Sequence, residues 1–249
     1  MPSEPVSPAR SFAAAAARLA LGLALACAVV ELLAGPGYRL GWWAFGSGIR
    51  AIRWAATAAL VAAGVGLLVG LFFGRSPRRR TAWLAVLAGL LVAAPPLWMA
   101  WQVQHLPKLH DISTDTGDPP RFVAIVPLRT NAKNSLVYAP SSAELQGRGY
   151  PDIVPLDLAV PPARALERAE AAARAMGWEI VAVSPQDLRI EATDTSLLFG
   201  FTDDVVIRVK PADTGSRVDV RSASRVGGSD FGVNAKRIRR YLKRLAETP

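Results

Sequence analysis

The sequence predicts an α+β protein: an N-terminal transmembrane helical bundle, then a two-layer sandwich in which two helices cover an antiparallel sheet. Three observations predict it. Residues 1–104 hold three apolar runs of membrane-spanning length set apart by arginines. Residues 178–224 alternate apolar and polar side chains at the period of β-strands. Two stretches with helical character, 163–176 and 231–246, flank that alternating region.

The apolar runs cover residues 12–34, 52–73 and 82–103. About 20 apolar residues cross the ~30 Å hydrocarbon layer as a helix, and the second and third runs meet that length without a central charge. Arg18 and Glu31 interrupt the first near its ends, where a long side chain can reach the headgroups. A cleaved leader is the alternative for this run. Its apolar character continues through Ala28-Val29-Val30, past the point where cleavage would fall, so a retained helix is expected. Aromatic residues gather at the segment ends: Tyr38, Trp42 and Trp43, then Trp54, Phe72 and Phe73, then Trp83, Trp98 and Trp101. This matches the belt that amphipathic rings form at the membrane–water boundary.

Arg75, Arg78, Arg79 and Arg80 make the loop 74–80 the most basic one beside any apolar run. Basic loops stay in the cytoplasm, which puts the N-terminus inside, a loop over about 35–51 outside, and everything after residue 105 outside. The expected location is the inner cell membrane, multi-pass, with an extracytoplasmic C-terminal domain. Ala58, Ala62, Gly66, Gly70 and Gly74 recur every four residues and let a second backbone approach one face of the second helix. Packing within the chain is the plainer reading, and a homo-oligomer through this helix the other. Ala85, Gly89 and Ala93 repeat the pattern on the third. Pro95 and Pro96 are expected to kink that helix or end it early, because neither donates a backbone hydrogen bond.

The net charge of +9 is unevenly spread. Residues 1–104 carry +7, and Lys236, Arg237, Arg239, Arg240, Lys243 and Arg244 crowd the last segment. The remaining soluble part has 14 basic and 17 acidic residues, a poor match for a phosphate backbone, so no nucleic-acid partner is expected. The single cysteine, Cys27, excludes an intrachain disulfide, and with two histidines a zinc site of the usual kind is nearly excluded.

Beyond the third run, residues 104–128 read as a linker ending in a short strand, Phe122–Val126, and residues 129–160 as a surface excursion rich in Ser, Pro, Gly and Asn. Pro161-Pro162 lead into the helix 163–176, with Gly177 as its C′ residue. Trp178–Ser184, Leu188–Asp194, Asp204–Lys210 and Ser216–Ser224 alternate strictly and are joined by turn residues, as in an antiparallel meander with one buried face. In the final helix Phe231, Ala235, Ile238, Leu242 and Leu245 form one stripe, and Ser229 or Asp230 can cap its start.

Several ordered blocks carry a resemblance: His110-Asp111-Ile112-Ser113-Thr114-Asp115, Met176-Gly177-Trp178-Glu179, Arg189-Ile190-Glu191-Ala192-Thr193-Asp194, Phe199-Gly200-Phe201, Asp203 through Arg208, Gly215 through Ser222, and Asp230 through Asn234. Over roughly residues 105–247 the chain resembles domain-of-unknown-function family 1499. The resemblance implies a domain often joined to membrane helices, and it brings no catalytic residue with it.

The candidate chemistry is thin. Asp111, Ser113 and Asp115 alternate, with Gly117-Asp118 following, as in a calcium loop, but Gly117 comes one position late and Phe122 replaces the bidentate glutamate, so turn capping is the plainer reading and no metal is expected. His110 beside Asp111 could orient a base, with Ser113 as nucleophile, although no nucleophile-elbow motif is present. Asp194, Asp203 and Asp204 flank the apolar loop Thr195–Thr202, which reads as a partner or lipid contact or, more plainly, as apolar residues tucked under a helix. Arg189, Arg208, Arg217 and Arg221, with Glu191 and Asp219, read as an anion-binding face or as a solvated ladder of ion pairs. Lys236, Arg237, Arg240, Lys243 and Arg244 form a basic face suited to anionic lipid or an acidic protein. The expected function is a membrane-anchored envelope protein whose soluble domain binds a partner or ligand without a cofactor. The alternative is an envelope hydrolase using Asp194 and Asp203.

Overall fold

The structure is a computed structural model that describes residues 8–73 and 78–248. The chain divides into two compact units, Met1–Gln102 and Val103–Pro249.

The first unit holds α1 (Pro8–Arg39), α2 (Phe45–Phe72) and most of α3 (Arg78–His105). Within them Ser11–Arg39, Phe45–Phe72 and Arg79–His105 are long and apolar enough to cross a membrane. The turn between α1 and α2 is far shorter than the sequence suggests. Helix continues through Pro36, and the Trp43 indole closes the turn by donating to the Ala34 carbonyl at 3.0 Å. Gly37 lies against that ring, and a Cβ there would fall 2.0 Å from it. Nor does α3 stop at Pro95-Pro96; it continues to His105. Helices long enough to span a membrane tolerate proline where surrounding groups satisfy the freed carbonyls.

The helices meet through small residues. Ala13 and Ala17 pack with Val69 and Ala82; Ala20 and Ala24 with Ala62 and Ala85; Cys27 with Ala55 and Ala59. Of the expected ridge, Ala62, Gly66 and Gly70 are buried and Ala58 is half-buried; Gly74, like Arg75, lies outside the described residues. At Gly66 a Cβ would stand 2.7 Å from the Ala82 carbonyl, and at Gly89 one would stand 2.4 Å from the Ala59 carbonyl. The ridge is therefore used for contact between α2 and α3 of the same chain.

The second unit contains one antiparallel sheet of β1 (Asp111–Ser113), β2 (Leu156–Leu158), β3 (Glu179–Ser184), β4 (Arg189–Thr195), β5 (Thr202–Ala212) and β6 (Gly215–Ser224). The order is β1-β6-β5-β4-β3, with β2 also paired to β6, nearer its start. The four expected strands are β3 to β6. The two short ones were hidden in segments read as linker and excursion, because three residues carry no periodicity. A short helix, α4 (Pro140–Gly149), also lies in that excursion.

Alternation along β4, β5 and β6 puts Ile190, Ala192, Val205, Ile207, Val209, Val218 and Val220 on one face. They form a single core with α5 (Pro162–Ala175) and α6 (Val233–Glu247), which contribute Leu166, Ala169, Ala173, Ile238, Tyr241 and Leu245. Trp178 stacks on Tyr241 at 4.9 Å, and the Tyr241 hydroxyl donates to the Ala169 carbonyl at 3.0 Å. Gly177 ends α5 at φ 79°, the left-handed conformation a C′ position requires.

The opposite face is not left to solvent. The chain from Asp115 to Leu136 crosses it, and Phe122, Ile125 and Leu136 pack on Val206 and Ala223. The expected strand Phe122–Val126 does not form. Its chain bends and then enters a single 3₁₀ turn, Val126–Leu128, because the amides of residues 123–125 bond to a side chain and not to a neighbouring strand.

Candidate functional site

That side chain is Glu191, on the covered face of β4 and only 1% exposed. Its carboxylate accepts from the amides of Val123, Ala124 and Ile125 at 3.0 Å each, and from Arg189 Nε at 3.1 Å. Successive amides aimed at one anion form a nest, here occupied by the protein's own carboxylate.

The same face carries three further arrangements around arginine. Arg221 Nε and Nη2 bond both oxygens of Asp111 at 2.9 and 2.6 Å, and its other hydrogens reach the Pro120 and Leu136 carbonyls. The guanidinium lies between the Phe122 and Tyr138 rings, 5.2 and 5.4 Å from their centroids. Asp204 is shared by Arg129 and Arg225. Fully buried Asp219 joins Arg208 and Arg217, which also meet Asp115 at 3.1 and 3.0 Å. Asp118 closes this cluster; its hydrogen bond from Lys210 and the nearby Arg208 hold its carboxyl below the usual range. The expected ladder is thus present in the cross-strand pair Arg208–Asp219 but largely covered, with Arg217, Lys210 and Asp118 at its solvent-facing margin. Arg217 and Arg221 are occupied by carboxylates of the same chain.

On the helix face, Asp194 and Asp203 converge on one residue, Arg237 of α6, with contacts of 2.8 and 2.7 Å. Arg237 is 7% exposed and so does not belong to the basic outer face of the helix. It reaches inward because 237 adjoins the apolar stripe at Ile238, and it also donates to the Ser222 hydroxyl at 3.1 Å. Ser222 donates to Asn234 Oδ1 at 2.7 Å, and Asn234 Nδ2 donates to the His110 carbonyl at 3.1 Å. Asp230 accepts the amides of Gly232 and Asn234 at 2.9 and 2.7 Å, capping the start of α6. Burial raises its carboxyl above the ordinary value despite those two bonds.

His110, Asp111 and Ser113 do not assemble into a catalytic group. Asp111 is committed to Arg221. The amide and carbonyl of Ser113 pair with the side chain of Gln146 at 2.9 and 2.6 Å, and its hydroxyl donates to the Asp115 carbonyl at 2.8 Å. His110 Nδ1 is buried with no hydrogen-bond partner among the described residues. Asp115 accepts the Asp118 amide at 2.9 Å, the turn capping expected of this run. No three His, Cys, Asp or Glu side chains among the described residues come together as a metal would require.

Lys236, Arg240, Lys243 and Arg244 are exposed along α6, while Arg239 pairs with Asp152 at 2.5 Å and lowers that carboxyl. The loop Thr195–Thr202 also differs from its plainer reading: Leu197 and Leu198 are 90% and 45% exposed and not tucked under a helix. Gln146 and Arg129 escaped the sequence reading, Glu191 entered it only as part of the outward ladder, and the bonding role of Asn234 was not visible there. A lone polar residue facing a loop of irregular chain leaves no periodic signal.

No curated protein and no solved structure matches the chain. A family model does: residues 111–245, from β1 to near the end of α6, match the model described as "Protein of unknown function (DUF1499)". These include every ion pair and nest described above, and the chain belongs to that family.

Proposed function

We propose that this protein is a non-catalytic, membrane-anchored envelope protein whose C-terminal domain lies outside the cytoplasm and binds an anionic partner through the outer face of α6. One observation supports it above the rest. The candidate carboxylates Asp111, Asp115, Asp194, Asp203 and Asp204 are each joined to arginine, and they are spread over both faces of the sheet. A carboxylate whose oxygens are committed to arginine is a poor base or nucleophile. Lys236, Arg240, Lys243 and Arg244 differ in carrying no ion pair among the described residues, so their charge is available to a partner. The α6 axis favours an acidic protein segment. The helix starts beside His110, where the chain enters the domain, and runs away from that end toward Arg168.

The arginine-rich start of α3 supports the orientation, by the preference of basic loops for the cytoplasm. A membrane-impermeant maleimide should label Asp213→Cys in intact cells, in a Cys27→Ala background. Labelling only after lysis would reverse the sidedness. For the partner, the full chain in phosphatidylcholine nanodiscs should bind polyglutamate with strong salt dependence. Charge reversal at Lys236, Arg240, Lys243 and Arg244 should abolish that binding. Retention of anionic lipid vesicles with no response to polyglutamate would transfer the face to lipid. Product release from lipid or wall fragments, lost in Asp203→Asn, would replace binding by hydrolysis.

A further inference from the structure

The hairpin between β4 and β5 places apolar side chains where water would be expected. Its turn runs Ser196-Leu197-Leu198-Phe199-Gly200-Phe201, with Leu197 and Leu198 exposed and the Phe199 and Phe201 rings stacked at 5.5 Å. The turn is well built: the Ser196 amide donates to the Phe201 carbonyl at 2.8 Å, and the Phe201 amide donates to the Ser196 hydroxyl at 2.9 Å. Leu197 and Leu198, exposed on this ordered turn beside the half-buried Phe199 and Phe201, make a compact apolar tip suited to an apolar environment.

Strand register fixes the end of the sheet to which this tip belongs. Asp111, the first residue of β1, pairs with Ala223; Ala223 pairs with Asp204; Asp204 pairs with Thr193. Those positions adjoin the hairpin turn, so the tip projects from the end of the sheet at which the chain enters β1. Only five residues, 106–110, separate that strand from the end of α3. Fully extended they reach at most about 18 Å. Lys108, exposed in this connector, and Lys236, exposed in the first turns of α6, lie at the same end.

We propose that the β4–β5 tip is an interfacial anchor that inserts Leu197 and Leu198 into the bilayer crossed by α1–α3. Leucine and phenylalanine gain from burial at the acyl–headgroup boundary, and nearby lysines favour phosphate there. The tip and α3 then hold the domain at two points, restricting its rotation about a single connector. The inference rests on the reading that the three helices span the bilayer, and the test separates the two.

The test uses the full chain in phosphatidylcholine nanodiscs, in a Cys27→Ala background, with an environment-sensitive nitrobenzoxadiazole label on one introduced cysteine. Leu197→Cys reports the tip. Val61→Cys, on the exposed side of α2, reports the span. Asp213→Cys, in the β5–β6 turn at the other end of the sheet, reports solvent. The expected result is a blue-shifted emission at 197 that lipid spin-labelled near the glycerol quenches, with quenching at 61 by mid-chain spin label and neither effect at 213. Quenching at 61 with solvent-like emission at 197 overturns the anchor and leaves the spanning helices intact. A blue shift at 197 without lipid quenching also overturns it, and means that protein covers the tip. Loss of quenching at 61 overturns the spanning reading and the anchor with it. Position 197 is almost fully exposed, so none of these outcomes is a folding defect in disguise.

Discussion

Asp111 and Arg221 sit diagonally across the β1–β6 pair and share two hydrogen bonds, although 110 residues separate them in the chain. The pair joins the first strand of the domain to its longest antiparallel partnership, and Arg221 also takes up the carbonyls of Pro120 and Leu136. One side chain thus ties two points of the segment that covers the sheet, Pro120 and its end at Leu136, to β6.

Removing one member of this pair strands the other charge in the interior. Arg221→Met should cost about 3–5 kcal/mol, the range for breaking a buried pair from one side. The double change Asp111→Leu with Arg221→Met should recover part of that loss, because no unpaired charge remains. Denaturant midpoints of the full chain in detergent, followed by hydrogen exchange in β6 peptides, check both. A double variant no more stable than Arg221→Met would deny that the stranded charge drives the loss.

Glu191 supports a second prediction. Hydrogen bonds to a charged group contribute about 1.5–3 kcal/mol, and Glu191→Gln both neutralises the acceptor and puts an N–H donor against amides that are themselves donors. The amides of residues 123–125 should lose exchange protection by at least ten-fold, the factor that corresponds to about 1.4 kcal/mol at 25 °C. Protection in β5 should change less. Unchanged exchange at 123–125 would remove Glu191 from its role as organiser of the loop.

The comparison of residues 121–126 with residues 188–194 shows what could be read in advance. Ile190, Ala192, Val205 and Ile207 alternate because the α5–α6 face needs apolar side chains at period two, and that signal survives in the sequence. Phe122, Ala124 and Val126 alternate as well, yet they form no strand; the amides of this stretch are taken by Glu191, 66 to 68 residues away. Arg237 shows the same limit on a helix. Its place beside Lys236 made it one of a cationic run, and only tertiary contact with Asp194 and Asp203 reveals that it points inward. Local pattern recorded the strands, the three long helices and the small-residue ridge of α2. It did not record pairings between irregular chain and lone polar groups, which decide the second face of the sheet and the fate of every candidate carboxylate.

Asp230 gives the domain a pH response of unusual sign. Its folded carboxyl titrates above the ordinary value, chiefly because it is buried. Where the folded value exceeds the unfolded one, the native state keeps a proton that the unfolded chain has released, so stability falls as pH rises between the two values. Above the folded value the loss is complete and constant. Asp118 acts the other way: its lowered carboxyl contributes stability at pH above the unfolded value, lost as pH falls through the folded one. Asp230→Asn keeps an oxygen for the α6 cap and has no proton to lose in this range. Its stability difference from the parent should therefore shift in the variant's favour as pH rises from the unfolded carboxylate value upward. A difference independent of pH, in parallel melts of the two full-length chains, would mean that Asp230 titrates normally.

The α2–α3 contact yields a prediction that separates space from propensity. Replacing glycine by alanine in a helix ordinarily stabilises by about 1 kcal/mol, because alanine is the better helix former. A methyl added at Gly64 would meet nothing within 4 Å. At Gly66, two residues on, it would stand 2.7 Å from the Ala82 carbonyl, a backbone atom that cannot rotate aside. Gly89 is tighter still, at 2.4 Å from the Ala59 carbonyl. Overpacking of this kind costs about 1–3 kcal/mol. Gly64→Ala should leave the melting temperature in detergent unchanged or raised, while Gly66→Ala and Gly89→Ala should lower it. Equal behaviour of all three would mean that the helices do not approach each other through these glycines. Separation into the expected pattern, with the purified protein monomeric throughout, assigns the ridge to packing within one chain and removes it as a dimer interface.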